Sequence, residues 1–228
     1  MTARIDHLVI AARELEEGAR WFEATFGIAP GPGGAHPLMG THNRLAKIAT
    51  AQFPGAYLEI IAIDPRAAPQ RAAGTHRWFD LDDATLQARL ARGGPRLVHF
   101  VVSVSDAAAA VHALAHERID RGRLLEASRD TPAGRLSWQI TVRDDGQRLF
   151  YGALPTLIQW GPVHPTDSMA DSGVSLRSLT LAHPRADDLH VAMRAIGLAG
   201  IPLTAGPPNL RAAFDTPRGI VTLDSQGS

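Results

Sequence analysis

The 228-residue chain is long enough to bury one large core or two smaller ones, and with 45% hydrophobic and 20% charged residues it has an ordinary globular composition. Lysine plus arginine and aspartate plus glutamate both number 23, so net charge gives no argument for a nucleic-acid or anionic-membrane partner. The absence of cysteine excludes disulfides, thiolate metal sites and a cysteine nucleophile, and no apolar run approaches a membrane span.

The first strand begins within a few residues of Met1, which leaves no room for a signal peptide and makes a cytoplasmic location the expectation. That strand is Ile5-Asp6-His7-Leu8-Val9-Ile10-Ala11. Alternation puts Ile5, His7, Val9 and Ala11 on one face. A helix is predicted over 14–26, with Leu15, Ala19, Phe22 and Phe26 at helical spacing and Gly27 as its stop. The glycine- and proline-rich stretch over 30–45 forbids a helix and crowds His36, Thr41, His42 and Asn43 beside a turn. Such groups suit the orientation of a polar substrate, although the stretch also reads as a plain loop into a strand at about 43–50. The strand at 56–62 is apolar except for Glu59, and a carboxylate there must be paired or bound to metal. Tyr57, Glu59 and Ile61 share a face, so Glu59 is able to point where His7 points.

Residues 64–96 read as an insertion, with Asp82 or Asp83 capping a helix that runs to about residue 92. The thin stripe of Leu86 and Leu90 places this helix on a surface, and Trp78 and Phe79 either lid a site or pack against the domain. A second unit repeats the first. Its strand over 97–103 puts Leu97, His99, Val101 and Ser103 on one face, a helix follows to about 118, and strands come near 123–127, 136–142 and 157–161. A histidine at the same place in two strand-helix units suggests an internal repeat that points two imidazoles at one site. Gln159 stands where the first unit has Glu59. His112 and His116 have a metal-binding spacing, but lack the metalloprotease glutamate and read as a solvated helix face. After a proline-, serine- and aspartate-containing segment at 162–173 comes a third unit. It has a strand at 176–182, a helix at 187–196 and short strands at 201–204, 210–214 and 220–224, with Ser178 in the histidine position.

Two imidazoles and one carboxylate from separate strands make a facial set that leaves coordination positions open for substrate. A metal so held polarises paired oxygens. The plainer alternative has His7 and His99 hydrogen-bonded inside a filled core and Glu59 paired with an arginine.

Three strand-helix-three-strand units resemble the vicinal oxygen chelate superfamily, and the first is similar to its glyoxalase-like domain proteins, relatives of bleomycin-resistance proteins and extradiol dioxygenases. The carrying residues are Asp6-His7-Leu8-Val9, Gly33-Gly34-Ala35-His36-Pro37 with Gly40-Thr41-His42-Asn43, and Tyr57-Leu58-Glu59-Ile60. The likeness is most specific over 4–63, looser over 96–161 and architectural beyond 174. It implies an α+β fold of βαβββ modules, two of which, within 1–161, pair into a half-open curved-sheet barrel with a helical insertion at about 64–95. A linker at 162–173 would lead to a third βαβββ-like module at 174–228 that packs on the barrel or mediates a homodimer.

The resemblance further implies a divalent metal (Zn, Ni, Co, Mn or Fe) on His7, Glu59 and His99, with Glu59 as catalytic carboxylate. Gln159 would be a fourth ligand or a substrate contact, and His36, Thr41, His42 and Asn43 would rim the opening. The implied function is a metal-dependent lyase or isomerase acting on a small oxygenated metabolite. Gln159 departs from the glutamate common at that position, and an amide cannot act as a base, which counts against thiol-aldehyde isomerisation. The same ligands suit a non-haem Fe(II) dioxygenase. Trp21, Trp78, Trp138 and Trp160 provide aromatic surface for a metal-free binding or resistance protein.

Overall fold

A computed structural model describes residues 2–131 and 134–227. The first unit comprises β1 (Ala3–Ala11), α1 (Leu15–Phe26), β2 (Ala35–His36), β3 (Thr41–Lys47) and β4 (Tyr57–Ile63). α1 buries Leu15, Phe22 and Phe26 and ends on Gly27, whose φ of 80° puts it in the left-handed region, with its N–H donating to the Glu23 carbonyl. β1 and β4 pair in parallel with α1 as their crossover, and both strands are apolar on two faces because each is central in the sheet.

The insertion holds a 3-10 turn (Trp78–Asp80) and α2 (Ala84–Gly93), capped by the Asp83 side chain accepting from the Leu86 N–H. Leu86 and Leu90 are buried rather than at a surface, and they pack in one cluster with Trp78, Phe79, Val9 and Ile61. The second unit follows as β5 (Arg96–Val104), α3 (Ala107–His116), β6 (Arg123–Thr131), β7 (Gly134–Val142) and β8 (Thr156–Trp160). β6 and β7 are longer than their sequence suggests. Their outer ends carry polar residues such as Ser128, Arg129 and Asp130, which are tolerated because β6 is an edge strand.

Among the described residues these strands form one sheet in the order β2-β3-β4-β1-β5-β8-β7-β6. The antiparallel β1–β5 pair joins the two halves. The fold is thus α+β, a curled half-barrel of βαβββ units as the sequence predicts, with α1 and α3 on the outside. The third unit, β9 (Ser175–Ala182), α4 (Ala186–Ala195), β10 (Leu203–Thr204), β11 (Asn209–Thr216) and β12 (Gly219–Asp224), makes its own sheet in the order β10-β9-β11-β12. It packs on the outer core of the first unit, where Phe214 meets Phe26 edge-on with ring centroids 5.2 Å apart. Residues 162–173 run back past the first unit: His164 reaches Asp6, and Asp171 bridges Lys47. No helix among the described residues is long and apolar enough to cross a membrane.

Candidate functional site

The site begins with a bulge. The β1–β5 register shifts between Ile5 and His7, leaving Asp6 without a cross-strand partner. A bulge breaks strict alternation, so two neighbouring side chains can serve one side of a sheet. Here Asp6 Oδ1 lies 2.7 Å from His7 Nδ1, which therefore carries the proton and donates it. Asp6 Oδ2 accepts from Trp160 Nε1 at 2.8 Å and from His164 Nε2 at 3.1 Å. His164 Nδ1 is occupied by the Thr166 hydroxyl and N–H, so the proton sits on Nε2. Asp6 is only 2% exposed. Burial alone would raise its pKa, but the hydrogen bonds from His164 and His7 outweigh burial and hold it at about 2.

With Nδ1 committed to Asp6, His7 presents Nε2 to Glu59, whose Oε2 is 3.6 Å away. Tyr57 stacks on the imidazole with centroids 4.6 Å apart. The other Glu59 oxygen accepts from Asn43 Nδ2 at 2.6 Å. Asn43 is itself fixed: its Oδ1 accepts from the Gly34 N–H at 2.8 Å, and its Nδ2 also reaches His36 Nε2 at 3.3 Å. Residue 33 has to be glycine for this, since a Cβ there would lie 2.1 Å from the Asn43 carbonyl oxygen. His36 Nδ1 completes the chain at the Thr41 hydroxyl, 3.1 Å away. Burial, followed by the charges of Arg129, His7 and His42, lowers the His36 pKa to about 3, so at neutral pH it accepts from Asn43 as a neutral ring.

His7, His36, Asn43 and Glu59 line one cavity on the concave side of the sheet, walled by Tyr57, Trp78, Phe79, Trp138 and Trp160. Two charged groups, Asp6 behind His7 and Arg129 in the cavity wall, escape sequence reasoning. Asp6 lies on the wrong face by simple alternation, and its only signal is an aspartate next to a histidine in an apolar strand. Arg129, near the end of β6, carries no signal.

Other predicted site residues lie elsewhere. Thr41 supports His36 from behind, and His42 faces away, with Nδ1 3.8 Å from Asp64. His99 is fully buried with both nitrogens occupied: Nδ1 donates to the Gly152 carbonyl at 2.9 Å, and Nε2 accepts from the Thr156 N–H at 3.1 Å beside the Thr156 hydroxyl. Burial, reinforced by Arg121 and Arg148, pushes its pKa well below the usual imidazole value. Gln159 turns to the helix side, where its Oε1 accepts from Ala107 N–H at 2.7 Å. The ladders explain why. In the first unit His7 pairs with Tyr57, and two residues on, Val9 pairs with Glu59. Two residues on from His99, Val101 pairs with Thr156. Thr156, not Gln159, therefore occupies the counterpart of Glu59, and it satisfies the histidine of its own half.

The glyoxalase-like domain family matches residues 5–197. The chain belongs to that family. Its glyoxalase-like fold is that of the vicinal oxygen chelate superfamily. Among solved structures, a hypothetical protein from Staphylococcus aureus is 14% identical, with 97% of this chain and 85% of that chain covered at a TM-score of 0.59. A methylmalonyl-CoA epimerase variant from Streptomyces coelicolor, in complex with 2-nitronate-propionyl-CoA, is 20% identical over 72% of this chain and 99% of that one, with a TM-score of 0.43. The Mycobacterium tuberculosis methylmalonyl-CoA epimerase is 15% identical over 73% of this chain and 92% of that one, at 0.39. No curated protein matches the chain.

Members of this superfamily often hold a divalent metal, and the residues of this glyoxalase-like protein do not fit one in the implied way. A facial site needs three ligand atoms each about 2.0–2.2 Å from one ion. His7 and Glu59 approach each other, but the His99 nitrogens are engaged with Gly152 and Thr156. Among the described residues no three His, Asp or Glu groups are arranged to hold a metal.

The buried imidazoles also set the acid response. The unfolded chain binds a proton at His36 below about pH 6.5, whereas the folded chain does so only near 3. Stability should therefore fall as pH drops through this window. Urea titrations should show His36→Gln losing less stability than wild type between pH 6.5 and 4, and an equal loss would remove His36 as a contributor.

Proposed function

We propose that this chain is a lyase- or isomerase-type enzyme that moves a proton on a small oxygenated metabolite, with His7 and Glu59 as the acid–base pair. The supporting observation is the approach of His7 Nε2 to Glu59 Oε2 at 3.6 Å inside an aromatic-walled cavity, each group held from behind by its own partner. Asp6 keeps the imidazole in the tautomer whose free nitrogen faces the cavity. Asn43 leaves one Glu59 oxygen free to take or return a proton. A substrate C–H next to a carbonyl, presented beside the pair, would lose its proton to the Glu59 carboxylate, and the enolate would take a proton back at that carbon from Glu59 or from a His7 ring protonated at Nε2. His36 and Asn43, whose polar atoms are spent on Thr41, Gly34, Glu59 and each other, would wall the cavity beside the reacting groups.

The test is proton exchange. The protein, purified without chelator, is incubated in deuterium oxide with a panel of hydroxy-carbonyl compounds and 2-oxo acids, and loss of substrate C–H signals is followed by NMR. Deuterium should enter at one carbon, and added chelator should leave the rate unchanged. Ligands that bind and emerge without exchange would instead support a metal-free binding protein. Exchange that chelator abolishes and one divalent metal restores would return the reading to a metal-dependent enzyme.

A further inference from the structure

Arg129 is a charged residue of the cavity wall to which the proton-transfer reading gives no work. The β6–β7 ladder, in which Arg129 pairs with Leu136, brings its side chain into the cavity that His7, His36 and Glu59 line. Its Nε and Nη1 are buried, yet have no hydrogen-bond partner among the described residues. Nor does any carboxylate among the described residues lie within ion-pair distance of it, whereas the buried Arg148 is paired with Asp80. Buried guanidinium donors are costly to leave unmade, and such an arrangement is a socket for an anion.

The chain makes room for this group. A Cβ on Gly34 would stand 2.2 Å from Arg129 Nη1, so the guanidinium occupies space that any other residue at 34 would fill. The charge is also felt across the cavity, since Arg129 is the second cause, after burial, of the low His36 pKa. The enclosed space is about 30 Å³, room for about two waters. That suits the head of a ligand whose remainder points out through the mouth. Arg129 shares the cavity wall with the Glu59 carboxylate, which favours a monoanion over a phosphate dianion.

We propose that Arg129 is a substrate-binding residue that receives a carboxylate, making the ligand of this site a small oxygenated carboxylic acid. The chemistry that follows binding rests on the proton-transfer reading, but the anchor itself does not. A bidentate guanidinium–carboxylate pair fixes orientation as well as position, which is what a proton transfer between His7 and Glu59 requires.

The experiment measures binding of acetate, lactate and pyruvate by ligand-observed NMR and calorimetry, with lactamide as the neutral counterpart of lactate. Wild type should bind the carboxylates and bind lactamide at least tenfold more weakly. Arg129→Gln should lose at least tenfold in lactate affinity, and Arg129→Lys should restore part of it. Gly34→Ala, whose Cβ displaces the guanidinium without removing it, should weaken lactate as Arg129→Gln does, with thermal melts reporting that each variant is folded. Equal affinity for lactamide and lactate, unchanged lactate affinity in Arg129→Gln, or no carboxylate binding to wild type would each overturn the proposal. Arg129-dependent carboxylate binding without deuterium exchange would keep the anchor and discard the proton-transfer reading. Exchange accompanied by full carboxylate affinity in Arg129→Gln would do the reverse.

Discussion

Replacing His7 by alanine should lower the rate of substrate proton exchange by about 10²–10⁴-fold, the usual worth of a positioned acid–base group. The expectation rests on geometry: Nε2 is the imidazole atom left free, and it faces Glu59 across the cavity. The fold should survive, because Asp6 keeps its bonds from Trp160 and His164 when the His7 ring is removed. Loss of the stacked ring beside Tyr57 should cost about 1–3 kcal/mol, as a cavity of modest size does. Glu59→Gln separates the two roles. It is nearly isosteric and can keep one hydrogen bond to Asn43, so a rate loss of similar size with unchanged melting temperature would assign proton transfer to the carboxylate. Exchange at the wild-type rate in both variants would remove the pair from the chemistry.

Asp6→Ala should be the most destabilising change at the site, at about 3–5 kcal/mol by analogy with other broken buried charge networks. Three donors converge on this carboxylate, from His7, Trp160 and His164, and the alanine removes the acceptor of all three around a carboxylate that is itself buried. Against a typical total stability of about 5–15 kcal/mol this is a large fraction. The contribution carries a pH signature. The folded pKa of Asp6 is about 2, below the ordinary aspartate value of 3.8. Its stabilisation is therefore fully present above about pH 4 and fades as pH falls from there towards 2, because the unfolded chain takes up the proton first. Urea unfolding of Asp6→Asn across that window should show less pH dependence than wild type, and identical slopes would show that the carboxylate is not the group responsible.

Much of this molecule could be read from local pattern. Gly27 stops α1 and Asp83 caps α2 because a helix end needs a left-handed residue or a side-chain acceptor wherever it falls in the fold. The strands around His7, Glu59 and His99 stand out as apolar runs because central strands are covered on both faces. The recurring strand-helix-strand order is legible as an internal repeat, and the half-barrel is what the resemblance of that repeat to a known family implies. A period of two assigns His7 to one face of its own strand and Glu59 to the face of Tyr57 in another, and the His7–Tyr57 pairing makes those one side.

What the tertiary structure alone decided is which of those side chains meet. Alternation places His99 on the concave side, but not where its nitrogens point; that depends on how β8 begins against β5, and Thr156 arrives there first. Gln159 matches Glu59 in sequence spacing and faces the other way, because a shift of one residue in register exchanges the two faces of a strand. Asp6 joins His7 through a bulge, a break in pairing that its own residues do not announce. Arg129 comes to the cavity from a polar edge strand and finds space against Gly34, 95 residues earlier in the chain by the numbering of the two positions. Periodicity is a property of one strand and is written in its residues. Partnership belongs to pairs of strands, and register, bulges and the reach of long side chains settle it only once the sheet has closed.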